Sequence, residues 1–199
     1  MEPEVHLIEK YFQEILHCLT STNMRCKGGK EIDLLAMDPR TLRRSHVESR
    51  VATKFILKPK ATRRKNGSSL KNGVDYFMRE KFDHPRVKER IEEIFGEADY
   101  ERILVVWDVS DLSVVNWAKQ NFGLDIWFID DLLEELIEKV ETLGSRDDIL
   151  RVVELMALSK RRSKKFGKPY VRKLARLGLG AVRGETQKAC ETTERDCCG

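Results

Sequence analysis

The spacing of apolar residues changes along the first part of the chain, and each spacing predicts a different element. Between residues 5 and 19 they recur every three or four positions, which is typical of an amphipathic helix with one face on a core. Residues 30–37 and 46–55 instead read as two strands, separated by the turn-forming pair Asp38 and Pro39. Strands joined by a short turn pair antiparallel, so we expect a hairpin after the first helix.

The rest of the chain alternates helices with strands. A helical stretch begins near Asp75, is interrupted at Pro85 and ends at Gly96. The continuous apolar run at residues 103–107 predicts a central strand that is covered on both faces. Four further elements follow, namely a helix at 114–122, a strand at 124–129, and helices at 132–143 and 147–158. Strands separated by helices pair in parallel, so we predict an α/β three-layer sandwich whose central mixed β-sheet is flanked by helices.

Chain length limits the number of domains. With 199 residues, of which 41% are apolar, the chain can bury one ordinary core. We expect this α/β core over residues 1–145, a C-terminal helix with a basic extension over 146–178, and a flexible tail over 179–199. No apolar run approaches the roughly 18 residues of a membrane span, and the N-terminus does not read as a signal peptide. We therefore expect a soluble, cytoplasmic protein with no membrane partner.

The cysteines do not follow a known structural pattern. Their number is odd, and they lack the paired Cys-x-x-Cys spacing of a zinc site: Cys18, Cys26, Cys190, Cys197 and Cys198. A disulfide framework or a structural zinc site is therefore not expected.

Positive charge is concentrated in two segments. Residues 151–199 hold 13 Lys and Arg against 5 Asp and Glu, whereas residues 1–150 hold 24 against 28. Nine positive side chains lie within residues 160–176 and six within residues 58–71, with no acid in either segment. Such segments favour a polyanion, here the DNA backbone with little sequence readout, although a solvated loop and tail would have the same composition. The candidate nucleic-acid contacts are Lys30 and Lys54 near the hairpin and, in these two segments, Arg63, Arg64, Lys65, Lys71, Arg161, Arg162, Lys164, Lys165, Lys168, Tyr170, Arg172 and Lys173.

Isolated acids interrupt the two predicted strands of the hairpin. Asp33 lies between Ile32 and Leu34, where a carboxylate is costly to desolvate unless a partner such as a bound cation offsets the cost. On the next strand, alternation places Glu48 and Arg50 on one face. If the hairpin register sets Asp33 opposite Glu48, two carboxylates and a guanidinium converge. Alternatively, these acids form ordinary surface ion pairs.

Two further residues near the hairpin are weaker candidates. Glu9, at the rim of the first helix, could supply a third carboxylate, and Glu2, Glu4 and Glu14 are alternatives to it. His46 shares a strand face with Glu48, but we interpret a lone histidine at a strand start as a polar surface residue. The tryptophans lie in apolar segments and are expected in the core: Trp107, Trp117 and Trp127.

The order of these residues and elements resembles the PD-(D/E)XK nuclease superfamily. That family combines a helix carrying Glu, a strand carrying Asp and a strand carrying Glu-x-Lys, and then helix, strand, helix and strand. The resemblance covers about residues 5–130 and implies a restriction-endonuclease-like fold. The segment at residues 28–36, with sequence GGKEIDLLA, is similar to the archaeal Holliday-junction-resolvase-like and Mrr-like branches.

The resemblance implies a function and a set of site residues. Glu9, Asp33 and Glu48 would match the acids that bind Mg²⁺, with Mn²⁺ as a possible substitute, and Arg50 would stand where the family has a catalytic Lys. A guanidinium can clamp a phosphate but cannot act as a base, so Lys54 or Lys30 could supply a displaced ammonium.

Two functional hypotheses follow from this set of residues. The first is a Mg²⁺-dependent endonuclease that hydrolyses DNA phosphodiester bonds, acting as a homodimer if it cuts both strands of a duplex. The second is a catalytically weak or inactive protein of nuclease fold that serves as a nucleic-acid-binding or assembly subunit. The presence of Arg50 in place of Lys favours the second.

Overall fold

A computed structural model of the chain describes residues 2–52, 55–61, 72–140, 148–150 and 152–153. The expected basic extension and tail lie outside these residues, as does most of the basic loop. Several candidate nucleic-acid contacts are therefore not described, namely Lys54, Arg63, Arg64, Lys65, Lys71, Arg161, Arg162, Lys164, Lys165, Lys168, Tyr170, Arg172 and Lys173.

A five-stranded mixed sheet forms the middle layer. Its strands are β1 (Leu19–Arg25), β2 (Glu31–Met37), β3 (Arg44–Arg50), β4 (Glu101–Val106) and β5 (Leu124–Phe128). They lie side by side in sequence order, so that β1, β2 and β3 pair antiparallel and β3, β4 and β5 pair parallel. The parallel pairs occur where a helix connects the strands, as such crossovers require.

Helices cover both faces of this sheet. They are α1 (Pro3–Glu14), α2 (Val74–Phe77), α3 (Pro85–Phe95), α4 (Ser113–Phe122) and α5 (Ile129–Val140). A π-helical turn, Met78–Phe82, continues α2 towards α3, and a 3₁₀ turn, Lys27–Gly29, precedes β2. None of the helices in the described part of the chain is long and apolar enough to cross a lipid bilayer. The predicted α/β three-layer arrangement with a central mixed sheet is confirmed.

The first layer, α1 and α5, packs on one face of the sheet. Phe12 stacks on Trp127 at 5.6 Å between ring centroids, and both contact the side chains that β2 and β3 direct to this face, such as Leu34 and Val47. The Tyr11 hydroxyl donates a hydrogen bond to Glu135 of α5 at 2.7 Å, which ties the two helices together. This face is apolar through its centre, so it is a core rather than a site.

The third layer covers the opposite face. There, α2, its π-helical extension and α4 bury Phe77, Phe82 and Ala118 against β4 and β5, while α3 packs Val87 and Ile91 onto β2. Side chains alternate along a strand, so the residues that β2 and β3 direct to this layer are the odd-numbered ones of β2 and the even-numbered ones of β3. This set includes Asp33, Leu35, His46 and Glu48. Buried polar side chains therefore lie within an otherwise apolar layer.

The main error of the sequence-based prediction lies between the first helix and the hairpin. The helix ends at Glu14 rather than continuing to residue 19, and the chain then forms an additional edge strand, β1. His17 has a left-handed φ of 57° at the turn between them, and Leu19, expected on the helix face, is 60% exposed. The strand was missed because Thr20 and its neighbours are polar on both faces, which leaves no alternating pattern to read.

Two smaller differences concern the ends of strands. β3 ends at Arg50, and Val51 and Ala52 lie outside it, so the strand is shorter than the predicted range 46–55. Trp107, expected in the core, follows the last residue of β4 and is 43% exposed. In contrast, Trp117 and Trp127 pack against the core as predicted. An apolar run does not show where its strand leaves the covered part of the sheet.

Candidate active site

Asp33 and Glu48 meet where β2 and β3 pair. Leu34 lies opposite Val47 in this antiparallel pair, so the same register continued by one residue sets Asp33 opposite Glu48, as the prediction required. Backbone and side chain of Ser49 both donate to Asp33 Oδ2, at 2.8 and 3.1 Å. One carboxylate oxygen of Asp33 is thus held by β3, and the other, Oδ1, lies on the side of the third layer, 3.5 Å from Lys81 Nζ.

A lysine that we did not predict lies between the two acids. Lys81 Nζ is 2.6 Å from Glu48 Oε2 and 3.5 Å from Asp33 Oδ1. Glu48 is fully buried, whereas the side chains of Asp33 and Lys81 are 18% and 30% exposed. The two carboxylates therefore converge on one cationic atom that is still accessible from solvent.

The π-helical turn brings Lys81 to this position. Met78 and Phe82 of the turn are buried, and they anchor it in the core beneath the sheet. Lys81 lies between these anchors and reaches across to the start of β2, where its Nζ also lies 3.4 Å from the carbonyl oxygen of Glu31. A π-helical turn accommodates one residue more than an α-helical turn, and such turns often occur at functional sites.

Lys81 carried almost no signal in the sequence. It lies within the charged run Arg79, Glu80 and Lys81, any of which could have faced solvent. The expected substitute, Lys30, does not reach the acids, because its Nζ pairs with Glu80 at 3.1 Å. The lysine comes from a segment nearly 50 residues from Asp33, so only the fold reveals the juxtaposition.

His46 is also part of this cluster, which corrects its interpretation as a surface residue. It is fully buried, and its Nε2 lies 2.9 Å from Glu48 Oε1. The imidazole ring packs against Phe82 at 4.8 Å and Tyr100 at 6.2 Å between ring centroids. Its position at the start of β3 did not indicate burial, because the residues that pack on the ring, Phe82 and Tyr100, come later in the chain.

Burial and like charge perturb the ionisation of the cluster. Burial, together with the neighbouring Glu48 carboxylate, raises the pKa of Asp33 to about 6 despite the opposing effect of Lys81. Burial alone would lower the pKa of Lys81, but the Glu48 and Asp33 carboxylates outweigh it, so this pKa is raised above its usual value. The ammonium therefore stays protonated at neutral pH and serves as a cation rather than as a base.

The acids lie beside an open cleft at one end of the sheet. The cleft has a volume of about 720 Å³, and Asp33 and Lys81 form part of its wall. The ends of β1 and β3 contribute Arg25 and Arg50, and α2 contributes Tyr76. The end of β1 is next to the start of β2, and the end of β3 adjoins it on the other side, so three strands meet at the cleft.

Arg50 lies in the cleft, but Lys81 rather than Arg50 bridges the acids. The Arg50 guanidinium lies over the ring of Phe55, 5.8 Å from its centroid. Within the described ranges, neither Arg50 nor Arg25 forms an ion pair with a carboxylate. Both guanidinium groups can therefore contact an anion in the cleft without breaking an existing ion pair.

Glu9 does not join Asp33 and Glu48. Its Oε1 accepts hydrogen bonds from Thr20 Oγ1 at 3.1 Å and from Gln13 Nε2 at 3.5 Å. The reason is that α1 packs on the opposite face of the sheet from Asp33 and Glu48. Of the alternatives on or before this helix, Glu2 is the one that lines the cleft.

Asp33 and Glu48 provide only part of a Mg²⁺ coordination shell. Among the residues that the structure describes, no group of three or more His, Cys, Asp or Glu is arranged to hold a metal ion. However, Mg²⁺ usually binds one or two carboxylates and completes its octahedral shell with water and substrate phosphate. Asp33 Oδ1 and Glu48 Oε2 already converge on one cation, the Lys81 ammonium. The pair therefore fits a largely hydrated Mg²⁺ ion but not a closed cage.

Similarity to known proteins is low. No family model matches the chain, and no curated protein matches it. Among solved structures, the crystal structure of the protein of unknown function AF1548 is similar, with 15% identity and a TM-score of 0.40. The match covers 90% of this chain and 99% of that chain.

Proposed function

We propose that this protein is a metal-dependent endonuclease that hydrolyses DNA phosphodiester bonds in the cleft beside Asp33. The observation that carries the proposal is the position of Lys81, whose ammonium contacts both Glu48 and Asp33. Two acids and a lysine at the open end of a mixed sheet correspond in residue type to the Asp, Glu and Lys of the PD-(D/E)XK pattern. Lys81 would supply the ammonium group of that pattern, which the guanidinium of Arg50 could not supply.

In this proposal, each residue has a separate task. Asp33 and Glu48 would hold Mg²⁺, which when bound lowers the pKa of a water molecule and neutralises charge on the phosphate. Lys81, released from the carboxylates, would donate hydrogen bonds to an oxygen of the scissile phosphate and stabilise the negative charge that develops there. Arg50 and Arg25 would contact phosphates on either side, because neither has an acidic partner in the described part of the chain.

A nucleic acid is the substrate class that accounts for the charges around the cleft. Phosphate neutralisation by Lys and Arg supplies most of the affinity for a DNA backbone. Arg25 and Arg50 offer two such contacts inside the cleft, and the basic segments at residues 58–71 and 160–176 provide many more in the sequence. Two copies of the chain would be needed to cut both strands of a duplex, so we include a homodimer in the proposal.

The direct test is nicking of supercoiled plasmid with Mg²⁺ or Mn²⁺. Asp33→Asn removes a metal ligand and Lys81→Gln removes the charge at the phosphate, so we expect each to lower the cleavage rate by about 100-fold or more. Chelation by EDTA should abolish cleavage by the parent protein. Two variants on the outer face of α3, Lys88→Gln and Glu89→Gln, are the matched controls and should cleave at the parental rate.

The second candidate is a nuclease-fold protein that binds nucleic acid without cleaving it. The complete burial of Glu48, with one oxygen near His46 and the other near Lys81, favours a static ion-pair cluster over a catalytic site. If the parent protein binds DNA in a salt-sensitive manner but never nicks it with either metal, this candidate replaces the first. Cleavage that persists at the parental rate in both Asp33→Asn and Lys81→Gln would contradict the site assignment instead.

A further inference from the structure

His46 has no role in the site described so far, although it is among the most buried polar residues of the structure. The exposed fraction of both His46 and Glu48 is zero. A carboxylate in such a position is costly unless each of its oxygens has a partner. His46 Nε2 is the hydrogen-bond partner of Oε1, whereas Oε2 has an ion-pair partner, Lys81 Nζ at 2.6 Å.

The two oxygens of the Glu48 carboxylate therefore have different partners. Oε1 is held from within the third layer by the buried ring of His46. Oε2 points to the accessible ammonium of Lys81. Because the carboxylate cannot rotate without breaking the bond to His46, the histidine determines which oxygen faces Lys81.

The surroundings of the ring define the tautomer of His46. In the described ranges, Nδ1 is buried and has no hydrogen-bond partner. A buried N–H group without an acceptor is more costly than a bare acceptor nitrogen that faces apolar rings. The proton therefore belongs on Nε2, where it is donated to Glu48 Oε1.

The ring is also held against rotation. Phe82 packs on it at 4.8 Å, and Tyr100 lies at 6.2 Å on another side. Phe82 belongs to the same π-helical turn as Lys81, so a single turn supports the histidine and supplies the lysine.

We propose that His46 is a positioning residue that orients Glu48 for metal binding and so sets the affinity of the site for a divalent cation. This inference rests on the proposed function, because Glu48 must be a metal ligand. Hydrogen bonds to ligating groups typically change metal affinity by about 10- to 100-fold when they are removed. His46 touches neither metal nor substrate in this arrangement, so it acts only through Glu48.

The test is a titration of the full-length, metal-free protein with Mn²⁺. The electron paramagnetic resonance signal of the free ion reports how much Mn²⁺ is bound. His46→Leu removes the donor and keeps an apolar side chain, so we expect its dissociation constant to rise by about 10- to 100-fold. His46→Gln keeps an N–H donor near the position of Nε2 and should stay within about threefold of the parent. Tyr100→Leu removes a ring contact but leaves the donor, so it controls for altered packing.

A second readout does not require a metal. Nitrogen-15 NMR of the metal-free protein should show the proton of the His46 ring on Nε2 and not on Nδ1. A tautomer protonated at Nδ1 would overturn the inference even if the His46→Leu variant failed to fold.

The two proposals can fail separately. If the parent and His46→Leu bind Mn²⁺ equally well while Asp33→Asn does not bind it, the metal site stands and the role of His46 is wrong. If the parent itself binds no Mn²⁺ at millimolar concentration, the proposed function fails, and the role of His46 in metal binding fails with it.

Discussion

At the scale of single residues, the candidate site is destabilising for the folded chain. Asp33 and Glu48 are like charges close together in a largely buried setting, and Lys81 and the hydrogen bonds from Ser49 offset the resulting cost only in part. The pKa of Asp33, about 6 against an ordinary 3.8, expresses this cost. A group kept in an unfavourable environment often serves function rather than stability.

The pH dependence of this cost has a defined sign. Between about pH 4 and pH 6 the folded protein keeps a proton on Asp33 that the unfolded chain has lost. Stability therefore falls as the pH rises through this window, and the cost is fully present above it. A shift of this size corresponds to about 3 kcal/mol at most, and some of it is shared with the neighbouring charges.

We predict that Asp33→Asn stabilises the protein at neutral and alkaline pH. The free energy of unfolding of the variant minus that of the parent should increase by about 2 kcal/mol from pH 4 to pH 8, because only the parent has a titrating carboxyl group at position 33. Urea unfolding at both pH values measures this. Asp38→Asn is the control, since hydrogen bonds from Arg40 and Thr41 lower the pKa of Asp38 to about 2 and the substitution should destabilise. A gain for Asp33→Asn that is equal at both pH values would contradict the shift.

At the scale of elements, the sequence predicted what long apolar patterns can specify. The helices α3 and α4 and the strand β4 were expected within a few residues of their actual ends, because their buried faces repeat regularly. The polar edge strand β1 and the π-helical turn had no such pattern. The acids Asp33 and Glu48 could be found because they interrupt apolar strands.

The other two members of the site could not be found in this way. Lys81 and His46 are recognised only when the third layer is placed on the sheet, because their neighbours come from distant parts of the chain. Lys81 is one charged residue among several, and His46 is covered by segments that follow it by more than 30 residues.

Helix α4 allows a test of one local prediction. It ends at Gly123, which has a left-handed φ of 63° and donates its N–H to the carbonyl of Lys119 at 3.0 Å. An added Cβ would meet no atom within 4 Å, so only the backbone conformation opposes a side chain. Gly123→Ala should therefore destabilise by about 1 kcal/mol, and Gly123→Asn by less. Thermal unfolding measures both, and equal stability of all three proteins would contradict the assigned helix end.

Across the whole chain, the excess of positive charge lies in a different segment from the acids of the site. The last 49 residues carry a net charge of +8, whereas the preceding 150 carry −4. In the described core, many basic residues of α3 are already paired, as in Arg86 with Glu89 and Lys88 with Asp83. The basic segment at residues 160–176 has no acid of its own.

This distribution predicts which charges control the salt dependence of DNA binding. Replacing Arg161, Arg162, Lys164 and Lys165 together with Gln should weaken binding and lower the slope of log K against log salt by nearly one unit per lost phosphate contact. Fluorescence anisotropy with labelled duplex at several salt concentrations measures the slope. The control replaces the paired Arg86, Lys88 and Arg90 of α3 with Gln. A larger change of slope in the control would contradict the assignment.

We propose that Asp33 and Glu48 form a metal site whose position the Lys81 ammonium occupies in the metal-free protein. The most direct measurement is an anomalous difference map from crystals of the protein soaked in Mn²⁺ at pH 8, above the pKa of Asp33. We predict one peak about 2 Å from Asp33 Oδ1 and Glu48 Oε2, with Lys81 Nζ displaced from both oxygens. A map without a peak there, in which Lys81 still bridges the two carboxylates, would contradict the account.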